Sequence, residues 1–535
     1  MKRFLNWLLN YSWISLIVIL VISVFAFYWM KENTQMETDL DEYMPKNHPA
    51  FIYSDEAEEI FNIKDAIIIA IENKNGIYNA LTLEKVKDLT KELQKLPEIE
   101  KDDVTSLYTA DNIIGTEDGL DVKAFYKKVP KSGDDIAELA QNVRSNEMIN
   151  QRLVSKDETV TVIIASIHDD VFSQEFYQKI LEVSHSYEDS NHNLYVAGTP
   201  IVEGTLAFLA PKDMQKMVPI VIVVILIVLF LLLRSIKATL LTFFVVIIST
   251  LWTFGLMAFL NIPVYSISTM IPVMLIAIGV ADGIHLFNHL QLYISHNPGS
   301  SKKDAIKEMI NSMMSPVIMT SVTTAVGFVS LLTSQVYPIK YFGLFTAFGV
   351  IAAMVFSLIF IPAGIMIFGL PKAAKKITEN KESGNNFAYR IAGYLLKHKM
   401  ISIFASIIIV ILSVIGMQKI WINSSFLDKF EKNSEIVLTD AFINEKFGGT
   451  SNINLILESK QIDQFKDPET LRMVDLLQKN IEDSLDIVGD SFSLADYMRR
   501  MNKVMHADLE DYNIIPSSKE LNAQYLLLYE MSGDP

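Results

Sequence analysis

The chain has 535 residues, of which 50% are hydrophobic and 20% are charged, and its formal net charge at pH 7 is −16. Its mean hydropathy of +0.28 is too high for a soluble protein of this length, which indicates a membrane protein. The sequence contains no cysteine, which excludes disulfides and thiolate metal sites.

Seven apolar segments are long enough to cross a bilayer, which takes about 20 residues of helix. They are Tyr11–Met30, Met217–Leu233, Ala238–Leu260, Ser266–Leu290, Pro316–Ser334, Tyr341–Leu370 and Met400–Met417. The first segment is too long for a cleaved signal peptide, and no small-residue cleavage site precedes the polar stretch after it. The sequence therefore predicts a polytopic α-helical membrane protein.

The spans divide the chain into six parts. We expect a first transmembrane helix (1–30), an extracytoplasmic α/β porter-like domain (31–216), a five-helix transmembrane bundle (217–370), a cytoplasmic linker (371–399), a seventh transmembrane helix (400–417) and an incomplete second extracytoplasmic domain (418–535). Charge sets this orientation. Residues 31–216 carry about −17, residues 418–535 about −9 and the rest about +10, and basic loops stay cytoplasmic. The N-terminus is then cytoplasmic, and the location is the inner, or cell, membrane.

The first polar region alternates short apolar runs with segments of helical spacing. The runs predict strands at Ala66–Glu72, Val104–Leu107, Thr159–Ile167 and Leu194–Ala197, and the spacing predicts helices at Leu83–Leu96, Asp134–Met148 and Glu175–Tyr187. The tract Gly115–Ser132, rich in Gly, Asp and Lys, is predicted to be a loop. This order is typical of small mixed-sheet domains of the split βαβ, ferredoxin-like type.

These polar regions contain no recognisable catalytic constellation, so an enzyme is not expected. Their histidines lack metal-ligand spacing and are predicted to be surface residues: His48, His168, His185, His192 and His506. His168-Asp-Asp170 favours a strand-end turn over a metal contact, and Gly198-Thr-Pro200 favours a turn over a phosphate site. No metal, cofactor or nucleic acid is expected.

The fourth span carries the strongest functional signal. Asp282 is the one acidic side chain within the long apolar segments, and a carboxylate at membrane depth costs roughly 2.5–3.5 kcal/mol on insertion scales. His285 and His289 follow at i+3 and i+7 on the same helix face. We expect Asp282 and His285 to relay protons, although a structural Asp bonded to hydroxyls and an interfacial His289 are the alternatives. Gly279 and Gly283 are predicted to permit close helix packing.

The fifth span adds a polar strip within an apolar run. It is predicted to start at Ser315-Pro316, with proline in the first helical turn. Ser321, Thr323 and Thr324 are candidates to bond the Asp282 carboxylate in the relay, or else to bond their own backbone one turn earlier. Gly327 is a further helix-packing candidate.

The chain also repeats itself after 386 residues. This shift places the first span on the seventh, Phe61 on Phe447, Ile67 on Ile453 and Glu72 on Glu458, and it predicts a second strand at Asn452–Glu458. Parallel internal repeats are common in transporters. Because the second cycle stops at the equivalent of about residue 149, we expect the sequence to be the N-terminal part of a longer protein.

Several motifs together resemble the resistance–nodulation–division superfamily, in its predicted exporter branch close to the mycobacterial large membrane proteins. Gly279-Val-Ala-Asp282-Gly-Ile-His285-Leu resembles its fourth-span motif, and Thr320-Ser321-x-Thr323-Thr324-x-x-Gly327-Phe328 its fifth-span motif. The segments from Thr38 to Pro49 and at Phe447-Gly448-Gly449 resemble the entries to its outer domains. Ala281 and Gly283 flank the Asp where many members place a Tyr or a second Asp.

The resemblance implies export driven by the proton gradient, with Asp282 as the protonated group and hydrophobic, amphipathic or lipid-like cargo. The implied partners are membrane lipids and the substrate, and a homo-oligomer or a periplasmic adaptor is left open. The alternatives are a non-transporting sensor or scaffold for sterol-like lipid built on the same bundle, and a protein-export motor. The sequence does not identify the cargo.

Overall fold

The structure is a computed structural model that describes residues 2–532 except 38, 46, 117–118, 169–172, 372–386, 421–424, 426, 451–452 and 486. The helices in chain order are α1 Lys2–Asn10, α2 Ser12–Asn33, α3 Pro49–Phe61, α4 Ala80–Leu93, α5 Gly133–Arg144, α6 Gln174–Ser186, α7 Thr199–Leu233, α8 Ile236–Phe259, α9 Ile271–His296, α10 Lys302–Val329, α11 Tyr337–Phe368, α12 Phe387–Lys397, α13 Lys399–Met417, α14 Glu435–Phe447, α15 Pro468–Ser484, α16 Leu494–Val504 and α17 Lys519–Ser532. The strands are β1 Met36–Glu37, β2 Ala66–Asn73, β3 Ile99–Thr105, β4 Asp111–Thr116, β5 Gly119–Ala124, β6 Val160–Ile167, β7 His192–Ala197 and β8 Val264–Tyr265.

The chain forms two compact units. The membrane unit comprises Met1–Lys46 and Leu209–Ser425, and the α/β unit comprises Asn47–Phe208 and Phe426–Pro535. Among the described residues, seven helices are long and apolar enough to cross a membrane, one in each predicted span. The prediction of a polytopic α-helical membrane protein with α/β domains is therefore confirmed.

In the membrane unit, α8 and α9 lie at the centre of the packing. Helix α8 packs against α2, α9 and α11, and α10 packs against α9 and α11. The buried contacts are mostly aliphatic, but α8 also buries the hydroxyl side chains of Thr239, Thr242, Ser249 and Thr253. Helix α13 has no buried residue.

The start predicted for the fifth span is wrong. Helix α10 begins at Lys302, where Ser301 caps it by accepting a hydrogen bond from the Asp304 backbone N–H, and Pro316 lies inside the helix. Proline removes one backbone donor there, yet such a break is tolerated in membrane helices when nearby groups satisfy the freed carbonyls. The carbonyl left without its usual donor is that of Ser312, one turn before the proline, whereas the Thr320 hydroxyl donates to the Pro316 carbonyl at 3.0 Å, one turn after it.

The α/β unit contains a four-stranded sheet in the order β3-β6-β2-β7. Its neighbouring strands all pair antiparallel, so the predicted mixed sheet is wrong, whereas the split βαβ order is present because β6 lies between β2 and β3. Strand β2 is central, and Ile67, Ile69 and Ile71 are fully buried. Helix α4 buries one aliphatic face in the same core.

The tract predicted to be a loop at Gly115–Ser132 contains strand structure. Strands β4 and β5 pair antiparallel from Asp111 opposite Ala124 to Thr116 opposite Gly119. The period-2 alternation of Leu120, Val122 and Ala124 with charged residues is a strand signal. The loop prediction gave more weight to the glycine and charge content of the tract than to this alternation.

The repeat is visible in the secondary structure of the described residues. Helix α14 begins and ends 386 residues after α3, and α17 begins 386 residues after α5. The paired helices α1–α2 and α12–α13 also recur in the same order. The strand predicted at Asn452–Glu458 is not formed in its described part, since residues 453–458 have no regular secondary structure and no pairing partner there.

Candidate functional site

The candidate site is the side chain of Asp282, near the middle of α9. The side chain is buried, with 5% of the residue exposed, and it accepts a hydrogen bond from Ser321 Oγ on α10, at 3.1 Å to Oδ2 and 3.4 Å to Oδ1. Ser321 is itself 4% exposed. The two adjacent helices therefore enclose a carboxyl–hydroxyl pair away from water.

No cation neutralises this carboxylate among the described residues. The ion pairs of the described chain all involve other acidic groups. A buried charge with a single hydroxyl partner is costly, whereas a neutral carboxyl satisfied by a hydrogen bond is not. Uptake or loss of a proton by Asp282 therefore changes the energy of the helix packing around it.

Glycines bring α8 close to α9 at this level. A Cβ on Gly283 would lie 2.3 Å from Thr242 Cγ2, and a Cβ on Gly279 would lie 3.2 Å from Val246 Cγ2 and 3.3 Å from Ala353 Cβ. No side chain larger than hydrogen fits at Gly283 without displacing α8. The candidate packing residues of the fourth span thus lie directly beside Asp282.

Two polar groups of α8 and α9 were not proposed as relay residues from the sequence. Thr242 was not singled out, and His289 was discounted as an interfacial residue. The Thr242 hydroxyl is fully buried beside Gly283 and has no hydrogen-bond partner in the described structure. His289 Nδ1, two turns after Asp282 on α9, is likewise buried and unpaired there. The signal for Thr242 was a hydroxyl within an apolar span, but such residues are frequent and often bond their own helix.

The other relay candidates do not converge on Asp282. His285 is exposed at the surface of α9. The Thr323 hydroxyl donates to the Met319 and Thr320 carbonyls, and the Thr324 hydroxyl donates to the Thr320 carbonyl, so both bond their own helix. A Cβ on Gly327 would meet no atom within 4 Å. The structure thus brings Ser321 to the carboxylate, and a relay role for the other three stays a prediction.

One prediction about the histidines of the α/β unit is wrong. His192 was predicted to be a surface residue, yet its side chain is fully buried at the start of β7. Its Nδ1 lies 2.9 Å from Asp189 Oδ1 and its Nε2 lies 2.9 Å from the Thr82 hydroxyl. Because Thr82 is itself fully buried, this row of side chains ties α4 to β7, and only Asp189, which is 37% exposed, reaches the surface.

The described residues contain no group of three or more His, Cys, Asp or Glu that could hold a metal ion. His168 lies 2.9 Å from Glu100, and the two aspartates after it fall outside the described residues.

Comparison with known proteins decides the family. The MMPL family model matches residues 78–395, which is more than half of the chain and includes α9 and α10. The chain belongs to the MMPL family. Members of the MMPL family are membrane transporters of the resistance–nodulation–division kind, and not enzymes, so the resemblance seen in the sequence is confirmed.

The chain is also similar to a membrane protein of an archaeon. A membrane protein of Methanocaldococcus jannaschii is 23% identical over 367 residues, an alignment that covers 66% of this chain and 90% of the relative. The similarity is to a membrane protein, and it does not carry a substrate from one protein to the other.

Proposed function

We propose that this MMPL-family chain exports hydrophobic, amphipathic or lipid-like molecules and is driven by the proton gradient, with Asp282 as the group that takes up and releases the proton. The buried carboxyl–hydroxyl pair of Asp282 and Ser321 carries this proposal. Intramembrane carboxylates are rare and commonly mark proton or ion pathways.

The packing around Asp282 can couple its protonation to a movement of the neighbouring helices. When Asp282 is charged, it can only accept hydrogen bonds, and Ser321 is its donor. When it is neutral, it gains an O–H donor of its own, and the cost of holding a charge away from water disappears. Because Gly279 and Gly283 keep α8 against α9, a small shift of either helix is transmitted directly to the other.

Polar groups on the facing helix extend the proposed path. The unpaired Thr242 hydroxyl is the nearest buried polar group on α8, and His289 Nδ1 lies two turns along α9. Histidine exchanges protons near neutral pH. In this proposal protons enter and leave Asp282 along the α8–α9 contact, between the periplasmic side and the basic, cytoplasmic side of the inner membrane, and lipids surround the bundle.

The test is transport by the full-length gene product in proteoliposomes with an imposed pH gradient. The probes are a fluorescent phospholipid and a cationic amphipathic dye, with an internal pH indicator to follow proton flow. Asp282→Asn should abolish both gradient-dependent transport and probe-dependent proton flow while the protein remains folded. Ser330→Ala is the control, since that hydroxyl bonds the Gly327 carbonyl one turn earlier and is not a relay candidate.

Two results would contradict the proposal. One is gradient-dependent transport by folded Asp282→Asn at the wild-type rate. The other is the absence of transport in every protein together with tight lipid binding by both wild type and Asp282→Asn in native mass spectrometry, which would identify a lipid sensor or scaffold.

A further inference from the structure

Residues 453–458 have the sequence of a core strand and the exposure of a surface loop. Ile453, Leu455 and Leu457 are 94%, 64% and 41% exposed, although the residues 386 positions earlier in β2, Ile67, Ile69 and Ile71, are fully buried. In the described structure, residues 453–458 make no backbone–backbone hydrogen bond. Their peptide groups and aliphatic side chains are therefore both open to a partner.

The first repeat shows what fills the equivalent position. Strand β2 lies between two antiparallel strands, with Ile69 opposite Ile163 of β6 and opposite Val196 of β7. At the end of β2, Glu72 accepts hydrogen bonds from Asn193 and Tyr195 of β7.

The equivalent helices α14 and α3 of the two repeats also differ in exposure. Helix α14 covers the edge strand β7, where Phe442 stacks on Tyr195 with ring centroids 4.0 Å apart and Thr439 is 2% exposed. On the equivalent helix α3, Tyr53 takes the place of Thr439 and is 55% exposed, and Phe61 is 58% exposed.

Contacts of α3 place it next to the segment of residues 453–458. The Tyr53 hydroxyl donates to Glu458 Oε1 at 3.0 Å, and Glu458 is the repeat equivalent of Glu72. An open groove of about 560 Å³ lies between the end of this segment and α15, and both apolar and polar residues line it: Leu457, Phe465, Met473, Val474 and Leu477, with Glu458, Ser459, Lys460, Gln461, Gln464 and Thr470.

We propose that residues 453–458, together with the exposed face of α3, form an acceptor surface for two apolar antiparallel β-strands of the β6 and β7 kind. An unpaired strand edge recruits such a partner through main-chain hydrogen bonds, and alternate side-chain pockets set its register. The occupant is a polypeptide with aliphatic residues at every second position. Its first strand places a residue equivalent to Ile163 opposite Leu455.

The test uses the full chain in lipid nanodiscs and a synthetic peptide with the sequence of residues 159–168, which contains β6. Hydrogen exchange of residues 453–458, followed by mass spectrometry, should slow by about tenfold or more on peptide addition, since strand pairing protects amides. Leu455→Asp should remove the effect. Leu81→Asp, which alters another half-exposed leucine of the α/β unit, should leave it unchanged.

Register is tested by cross-linking, which the cysteine-free sequence makes specific. Leu455→Cys should form a disulfide with a peptide carrying cysteine at the position of Ile163, about tenfold more than with one carrying it at the position of Ile164, because alternate side chains point to opposite faces. The proposal is overturned if the peptide gives no protection or a scrambled peptide protects equally. Protection that appears without peptide as protein concentration rises, or with added lipid alone, also overturns it and identifies a second copy or a lipid as the occupant.

Discussion

Gly283 on α9 faces Thr242 on α8 so closely that an added methyl group would lie 2.3 Å from Thr242 Cγ2 and 2.5 Å from its Oγ1. Gly283→Ala should therefore force the two helices apart and destabilise the membrane unit by roughly 1–3 kcal/mol, which is the usual cost of overpacking. Thermal unfolding in detergent measures this change. Gly327→Ala is the control, because a Cβ there meets no atom within 4 Å, and an equal loss in both variants would contradict the packing argument.

Ser321→Ala should slow gradient-driven transport without stopping it. The change removes the hydrogen bond that Ser321 Oγ donates to Asp282 at 3.1 Å and leaves the carboxylate without its donor among the described residues. Loss of a hydrogen bond to a charged group costs about 1.5–3 kcal/mol, which corresponds to roughly tenfold or more in a rate or a binding constant. Initial transport rates over a range of pH gradients measure it. A Ser321→Ala protein as fast as the Ser330→Ala control would show that the Ser321 hydroxyl is dispensable.

Arg500→Met should loosen α16 from the first-repeat segment around β4. Arg500 is 4% exposed and donates to the Ile113 carbonyl at 2.9 Å, and it also bonds Glu147 and Asp508. Glu147 and Asp508 are partly exposed and can turn to water, so the loss falls mainly on the Ile113 carbonyl, and an unpaired acceptor of this kind costs about 1–3 kcal/mol. Hydrogen exchange of β4 and α16 reports this loss.

The exposed Arg472 on α15 supplies the matched control for Arg500. Arg472→Met removes the same charge without the buried contacts and should leave the exchange rates within about twofold of wild type, as surface substitutions usually do. Equal effects of the two substitutions would mean that the loss of a positive charge, and not the loss of the contacts of the buried Arg500, loosens α16 from the segment around β4.

Acid should weaken the contacts that hold α14 against the first repeat, which contains the four-stranded sheet. Partial burial acts to raise the pKa of Asp157, but hydrogen bonds from Lys446 on α14, from Thr159 and from Ser155 hold it well below the ordinary value of 3.8. A lowered pKa contributes stability that is complete above about pH 4 and is lost as the pH falls through the folded-state value. The protection of α14 amides, which is the exchange rate of an unstructured peptide at the same pH divided by the observed rate, should therefore fall between about pH 4 and pH 2.

Lys446→Met isolates this effect from the other carboxylates. Glu435, at the start of α14, also lies 3.1 Å from His185, so acid acts on more than one contact of this helix. The α14 amides of the variant should be less protected than those of wild type at pH 7 and should lose less further protection on acidification. If α14 protection depended on pH in the same way in the variant and in wild type, the contact between Lys446 and Asp157 would not be the cause.

Local signals were sufficient for most of the fold. Hydropathy over about 20 residues locates a span because lipid cannot satisfy polar groups, and the helices and strands around Ile69 follow from spacing in the sequence. The paired helices of the repeat were also visible, since α3 and α14 occupy matching positions.

What escaped prediction depends on neighbours that are distant in the sequence. Residues 453–458 and β2 share the same alternation, and the described structure pairs one and leaves the other open. Thr323 and Ser321 are both hydroxyl residues of one helix, and the direction of each, set by the packing of α10, decides which one meets Asp282. His192 is buried because Asp189 and Thr82 satisfy both of its ring nitrogens.

The position of α14 on β7 has a consequence for biosynthesis. Strand β7 ends at Ala197, and the helix that covers it begins at Glu435, so the ribosome must make all the intervening residues, with six of the described membrane helices among them, before Phe442 can reach Tyr195. Until then the newly made first sheet presents a bare apolar edge. A nascent chain stalled before residue 435 should therefore recruit chaperones on the side of the membrane where β7 emerges.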